Sequence, residues 1–170
     1  MDIISHGLYG GAGFYKKGKK IFWLAFFIGM LPDFLSFGIF WLDTFLGFHP
    51  RPNWQAGPPA MSSIPEYVGM LYNFTHSLVI FLVVFLIILA IRKKPLWILI
   101  PWGIHILIDI PSHSSAFFPT PFLWPLSNFH FEGIGWGNPI IFVPNLIILG
   151  IIYTIIFYRK NSKNKIISKK

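Results

Sequence analysis

The sequence predicts an all-α membrane protein: a helical bundle of about four transmembrane helices plus an N-terminal half-helix, with two long outer loops. Three observations carry this. Hydrophobic residues make up 54% of the 170 and the mean hydropathy is +0.61, greasier than an ordinary soluble domain. Charged residues are only 12%, and apart from Arg51 the Lys and Arg are bunched at Lys16 to Lys20, Arg92 to Lys94 and Arg159 to Lys170. Between the bunches run apolar segments of about twenty residues, the length that crosses a hydrocarbon core. They are Ile21 to Trp41, Leu71 to Ile91, Pro95 to Ile110 and Pro139 to Tyr158, the third being the shortest.

The connections alternate in charge. The turns at Lys16 and Arg92 and the Arg159 tail are basic, whereas Leu42 to Met70 and Pro111 to Asn138 hold only Arg51 as a fixed cation. Because basic loops stay on the cytoplasmic side, this predicts a multi-pass inner (plasma) membrane protein with both long loops outside. Residues 1–158 form a single transmembrane domain and 159–170 a basic cytoplasmic tail. Membrane topology thus accounts for the +8 net charge, and no basic stripe on a soluble face points to nucleic acid. The lipid bilayer is the expected partner. The Pro, Gly and aromatic residues of the loops, as in His49-Pro50-Arg51-Pro52-Asn53-Trp54, suit ordered coils anchored at the interface. The apolar stretch after Lys20 exceeds a signal-peptide core, contains Asp33 and meets no small-residue cleavage site, so it reads as retained.

Ile3 to Tyr15 is apolar but too short to span, and its Gly7, Gly10, Gly11 and Gly13 favour close helix packing over phosphate binding, since no strand precedes them. As a half-helix it brings His6 into the bundle. Counting from each basic cluster at ~1.5 Å per residue puts His6 and His105 at roughly 16 Å, Asp33 at about 20 Å, Asp109 at about 22 Å and His76 at about 24 Å. Five ionisable side chains on four segments therefore share one layer. Intramembrane Asp and His are costly and by default face the interior, pair and mark function. His105 and Asp109, at i and i+4, share a helical face. Pro111 is expected to end or kink that helix at Ile110, and a turn there would swing His113 toward the same centre.

With no cysteine in the chain, a metal must be held by His and carboxylate, a ligand set suited to zinc and also to Mn²⁺, Fe²⁺ or Ni²⁺. Six candidate ligands, His6, Asp33, His76, His105, Asp109 and His113, exceed one tetrahedral shell and leave open one or two ions. Glu132, the one acid of the second outer loop, is a candidate general base, although a solvated loop carboxylate is the plainer reading. His49 and His130 sit among loop aromatics and read as interfacial. No Gly-x-Ser-x-Gly elbow is present.

Ser5-His6-Gly7, Leu31-Pro32-Asp33, Thr75-His76-Ser77 and His105-Ile106-Leu107-Ile108-Asp109-Ile110-Pro111-Ser112-His113, followed by Pro121 to Ser127, resemble in order the blocks of the YdjM-like family of membrane-bound metal-dependent hydrolases. The resemblance covers most of the chain between His6 and Ser127. It implies a divalent metal, most naturally zinc, held by those His and Asp residues. More distantly, the order of ligands is similar to that of zinc-dependent phospholipase C and the S1-P1 nucleases, which implies phosphoester hydrolysis on a lipid or lipid-linked substrate. This chain departs from the family in having Leu35 where many members carry a second acid, and Leu71-Tyr72 where many carry His-Arg. The alternative is a non-enzymatic ion or proton pathway, or an assembly partner, using the same cluster. A conduit needs polar residues continuing to the cytoplasmic side, and Leu78 to Ala90 offers none.

Overall fold

A computed structural model describes residues 1–53 and 57–167, with side chains as far as residue 162. Residues 54–56, with Trp54 of the first long loop, residues 168–170 and the tail side chains from residue 163 lie outside the described residues. Among the described residues the fold is all-helical, with a single isolated bridge between Ser114 and Phe117.

Helix α1 (Ile3–Phe14) starts at Asp2, whose carboxylate accepts the Ser5 N–H at 2.9 Å and the Ser5 hydroxyl at 2.5 Å. A turn through Gly18, at φ +97°, sends the chain back as α2 (Lys19–Asp33). The two helices approach until backbone meets backbone. A Cβ on Gly29 would stand 2.5 Å from the His6 carbonyl oxygen, and one on Gly10 would stand 2.5 Å from the Ala25 carbonyl oxygen. Small residues thus do in this hairpin what they do in lipid generally, letting helices pack without large side chains between them.

Past Pro32 and Asp33 the helix widens into a π-helical turn, Phe34–Gly38, and resumes as α3 (Ile39–Phe45). Such bulges re-aim side chains and are frequent at functional sites. The Ser36 hydroxyl donates to the Pro32 carbonyl at 2.9 Å inside it. Taken together, Lys19–Phe45 is 27 residues long and apolar enough to cross a membrane, as is Pro139–Ser162 within α7 (Pro139–Ile167).

The expected second span, Leu71 to Ile91, is broken. Helix α4 (Glu66–Thr75) and α5 (Leu78–Arg92) meet at 55° around His76 and Ser77, so the pair counts as at most one further candidate span. Here the chain exchanges helix continuity for partners elsewhere. Ser77 caps α5 by accepting the Ile80 N–H at 3.1 Å and donates its hydroxyl to the Trp124 carbonyl, while the Leu78 N–H goes to the Phe122 carbonyl at 2.9 Å. The third expected span is a shorter apolar helix, Trp97–Ser112, containing α6 (Ile100–Ser112). Pro111 does not end α6 at Ile110. The helix runs on to Ser112, whose hydroxyl donates to the Ile108 carbonyl at 3.0 Å, and His113 turns out into extended backbone. A proline in the last turn forfeits one N–H bond, which that hydroxyl helps to offset.

Polarity is arranged inside out. His6, Asp33, Thr75, His76, Ser77, His105, Asp109 and Ser112 are buried, whereas Phe27, Leu82, Leu86, Ile147 and Ile151 are exposed. Apolar surface of this kind is compatible with a membrane location. A hydrophobic core of Phe40, Ile64, Val68, Tyr72 and Phe118 packs where α3, α4 and the segment after α6 meet. Helix α7 is tied to α1 by polar bonds: Tyr9 to Asn145 Oδ1 at 2.9 Å, Asn145 Nδ2 to Ser5 Oγ at 2.8 Å, and Tyr153 to the Leu8 carbonyl at 2.9 Å. Interhelical bonds in lipid average about 0.6 and reach about 1.7 kcal/mol. Asn145→Leu is therefore expected to destabilise the protein by about 1 kcal/mol in thermal melts in detergent while leaving its metal content unchanged.

Candidate metal centre

The π turn follows directly on Asp33, the α4–α5 break exposes His76 to the interior, and one face of α6 carries His105 and Asp109. These four residues present ligand atoms that all lie within 4.8 Å of one another, and all four are buried. His76 Nε2 is 3.3 Å from Asp33 Oδ1 and 3.5 Å from Asp109 Oδ2. His105 Nε2 is 3.1 Å from Asp109 Oδ2 and 3.8 Å from Asp33 Oδ1.

The opposite ring nitrogens are held from outside the group. His105 Nδ1 lies 2.7 Å from the Gly29 carbonyl oxygen, and His76 Nδ1 lies 3.2 Å from that of Tyr72 and 3.0 Å from Thr75 Oγ1. A carbonyl oxygen can only accept, so His105 Nδ1 carries a proton, and both rings turn Nε2 inward. Those two nitrogens are 3.0 Å apart, a separation that a shared proton or a cation bound by both would hold. Backbone carbonyls on the outer nitrogens are also what orients histidine in metal sites.

Charge points the same way. Two buried carboxylates, Asp33 and Asp109, face these imidazoles, and among the described ion pairs one fixed cation reaches them, the Met1 ammonium on Asp109 Oδ1. Asp109 Oδ2 receives no hydrogen bond. Buried charges are expected to be paired or to coordinate metals, and an orphaned carboxylate oxygen beside two inward imidazole nitrogens fits a divalent ion. This group can hold a metal ion.

The other face of Asp109 has its own partners. His6 Nε2 is 2.9 Å from Oδ1, and the His6 ring stacks on His105 with centroids 3.6 Å apart. His113 Nε2 is 3.5 Å from Oδ1, and its Nδ1–H donates to the Phe118 carbonyl at 2.9 Å. The Met1 amine also reaches Oδ1 and lies 3.1 Å from both Ser112 Oγ and His113 Nε2. His6 Nδ1 is buried without a hydrogen-bond partner. Thus His6, Asp33, His76, His105, Asp109 and His113 meet around one carboxylate. Glu132 stays apart from them: it is exposed, and both its oxygens accept the Ser115 N–H at 3.1 Å. His49, beside Asp43, and the exposed His130 are also separate.

A cleft of about 510 Å³ opens beside the group, lined by Ser112, His113, Phe117, Trp136 and Asn138 among others, and by no charged residue. The volume lies within the usual range for small-molecule sites, about 300–1,000 Å³. Its wall is held by Gly133, whose N–H donates to the His113 carbonyl at 2.9 Å. A Cβ there would come within 2.4 Å of the Pro111 carbonyl oxygen, so only glycine fits.

Sequence reasoning missed Tyr72 and the carbonyls of Gly29 and Phe118, which orient the histidines. Tyr72 was within reach, since it precedes His76 by four residues on one helix and so faces it. The carbonyls carry no sequence signal. Comparison with family models, curated proteins and solved structures found no match for this chain.

Proposed function

We propose that this chain is a membrane-embedded metal-dependent hydrolase acting on a phosphoester or lipid-linked substrate. The observation that carries the reading is the buried group of two carboxylates and two imidazoles whose ligand atoms all lie within 4.8 Å of one another, with the Met1 ammonium as the one fixed cation among their described ion-pair partners. The resemblance to the YdjM-like family supports it from the sequence side.

Zinc is the favoured ion for an all-imidazole-and-carboxylate set, and Asp109 divides the ligands into two groups. Its Oδ2 faces His76 and His105, within the group that includes Asp33, and its Oδ1 faces His6, His113 and the Met1 ammonium. The Oδ2 side is therefore the better place for an ion. When bound, such ions supply Lewis acidity and an activated water at neutral pH. The chain's own residues then exclude bulk water and orient the ring nitrogens through backbone carbonyls. Glu132, whose carboxylate is engaged by the Ser115 N–H, stands apart from the group. The uncharged cleft lined by Phe117 and Trp136 favours an amphiphile over a soluble polyanion.

In this reading α2 with α3, α4 with α5, α6 and α7 make four crossings of the inner membrane, α1 enters as a half-helix, and the basic turns stay cytoplasmic. The centre then opens outward. The test is metal analysis of detergent-purified protein together with hydrolysis of a p-nitrophenyl phosphodiester. Wild type should carry one or two transition-metal ions per chain, and His105→Ala should lose most of that metal and the activity. Wild type without stoichiometric metal, or His105→Ala with unchanged metal, would refute the reading. Metal-dependent ion flux in proteoliposomes without turnover would favour an ion pathway instead.

A further inference from the structure

Helix α1 brings His6 to the centre, yet the ring is not turned as a ligand's would be. It is buried, and its plane lies 23° from that of His105 with ring centroids 3.6 Å apart. An imidazole binds a metal along a nitrogen lone pair, which lies in the plane of the ring, at about 2.0–2.1 Å for zinc. An ion held by His105 Nε2 therefore sits in the His105 plane, and the small tilt between the stacked rings leaves it roughly 2 Å out of the His6 plane. One ion cannot satisfy both rings in this arrangement. The group whose ligand atoms lie within 4.8 Å of one another accordingly leaves His6 out. What His6 does reach is the carboxylate: its Nε2 lies 2.9 Å from Asp109 Oδ1, while its Nδ1 has no partner. A carboxylate oxygen accepts, so the proton is on Nε2. The other oxygen, Oδ2, receives no hydrogen bond and faces the Nε2 atoms of His76 and His105.

We propose that His6 is a positioning residue and not a metal ligand. Its Nε2–H ties down Asp109 Oδ1, its ring lies face to face with His105, and together these present Oδ2 and the His105 Nε2 to one ion in the group of four. This rests on the metal-binding reading and divides its residues: Asp33, His76, His105 and Asp109 bind, and His6 supports. Carboxylates that ligate metals are themselves hydrogen-bonded, and losing such an outer partner costs about 10- to 100-fold in affinity. The fold keeps His6 at this post. Its carbonyl oxygen fills the space that a Cβ on Gly29 would need, and the Gly29 carbonyl accepts from His105 Nδ1 at 2.7 Å, so the α1–α2 contact braces both stacked rings.

X-ray absorption of the full chain in detergent, loaded with one equivalent of zinc, counts the imidazoles on the ion, and zinc titrations give the affinity. Wild type is compared with His6→Phe and His6→Gln. Phenylalanine keeps a ring to stack and removes the donor, whereas glutamine restores a donor near the place of Nε2. Two imidazoles are expected on the ion in all three proteins, with affinity about 10- to 100-fold weaker in His6→Phe and within about threefold of wild type in His6→Gln. Three imidazoles in wild type, falling to two in the variants, would make His6 a ligand and overturn the proposal. So would His6→Phe that binds zinc as tightly as wild type, or His6→Gln that binds no better than His6→Phe. A readout on wild type alone decides the matter if the variants do not fold: in chelator, with ¹⁵N-labelled histidine, His6 should carry its proton on Nε2 and none on Nδ1. A proton on Nδ1 with Nε2 bare overturns the bond to Asp109. Wild type that binds no zinc overturns the hydrolase reading itself, whereas zinc bound with His6 in its shell overturns only the role of His6.

Discussion

Asp109→Asn is expected to abolish tight metal binding and also to lower the stability of the metal-free protein, because the Met1 ammonium loses its buried carboxylate. Asparagine has nearly the shape of aspartate and can still hydrogen-bond His6 and Ser112, so the packing is kept and the shift on adding zinc, not the starting stability, reports the ion. It cannot present two anionic oxygens to two sets of imidazoles, and the loss should exceed the 10- to 100-fold associated with outer partners. Thermal melting makes the contrast measurable. A ligand at about 100 times its dissociation constant stabilises a protein by about 2.7 kcal/mol, and the same concentration acting on a 100-fold weaker site stabilises by only about 0.4 kcal/mol. Zinc should therefore raise the melting temperature of wild type clearly and that of Asp109→Asn hardly at all. Equal zinc-induced shifts would show that Asp109 does not bind the ion.

Gly29→Ala should damage the fold and the centre together. Two effects oppose each other, since alanine is the better helix former by about 1 kcal/mol, whereas overpacking a close contact costs about 1–3 kcal/mol. At Gly29 the added Cβ would meet the His6 carbonyl oxygen at 2.5 Å, backbone against backbone, and no side chain can swing aside. The cost should win by about 1–2 kcal/mol. Because the Gly29 carbonyl also accepts from His105 Nδ1, and His6 rides on the displaced helix, metal affinity should fall about 10- to 100-fold as well. Gly13→Ala is the control. Nothing lies within 4 Å of its Cβ, so helix propensity alone acts and stability should rise by about 0.5–1 kcal/mol. Melting curves and metal titrations of the two variants separate propensity from packing.

The convergence of His6, Asp33, His76, His105 and Asp109 was legible because depth along a helix is a linear function of residue number, and each segment starts from a basic cluster. His113 was legible for a related reason: a chain leaving α6 two residues past Pro111 has few places to go. The break at His76 and Ser77 was not legible. Leu71 to Ile91 is uniformly apolar apart from Tyr72, Asn73 and Thr75 to Ser77, and the partners that replace helix continuity, the carbonyls of Phe122 and Trp124, lie more than forty residues away. The shortness of the third segment was legible by counting, and Trp97–Ser112 is indeed a shorter apolar helix. That Asp109 turns different oxygens to different histidines follows from side-chain geometry, which hydropathy does not encode.

The attachment of α7 has a consequence for biosynthesis. Every residue of the metal group lies between His6 and His113, so the whole ligand set has been synthesised before Pro139, the first residue of α7, is added. The polar edge of α1, Ser5 and Tyr9, then waits for Asn145. A chain lacking α7 would leave the Tyr9 hydroxyl without its Asn145 acceptor, whereas Ser5 would keep its bond to Asp2.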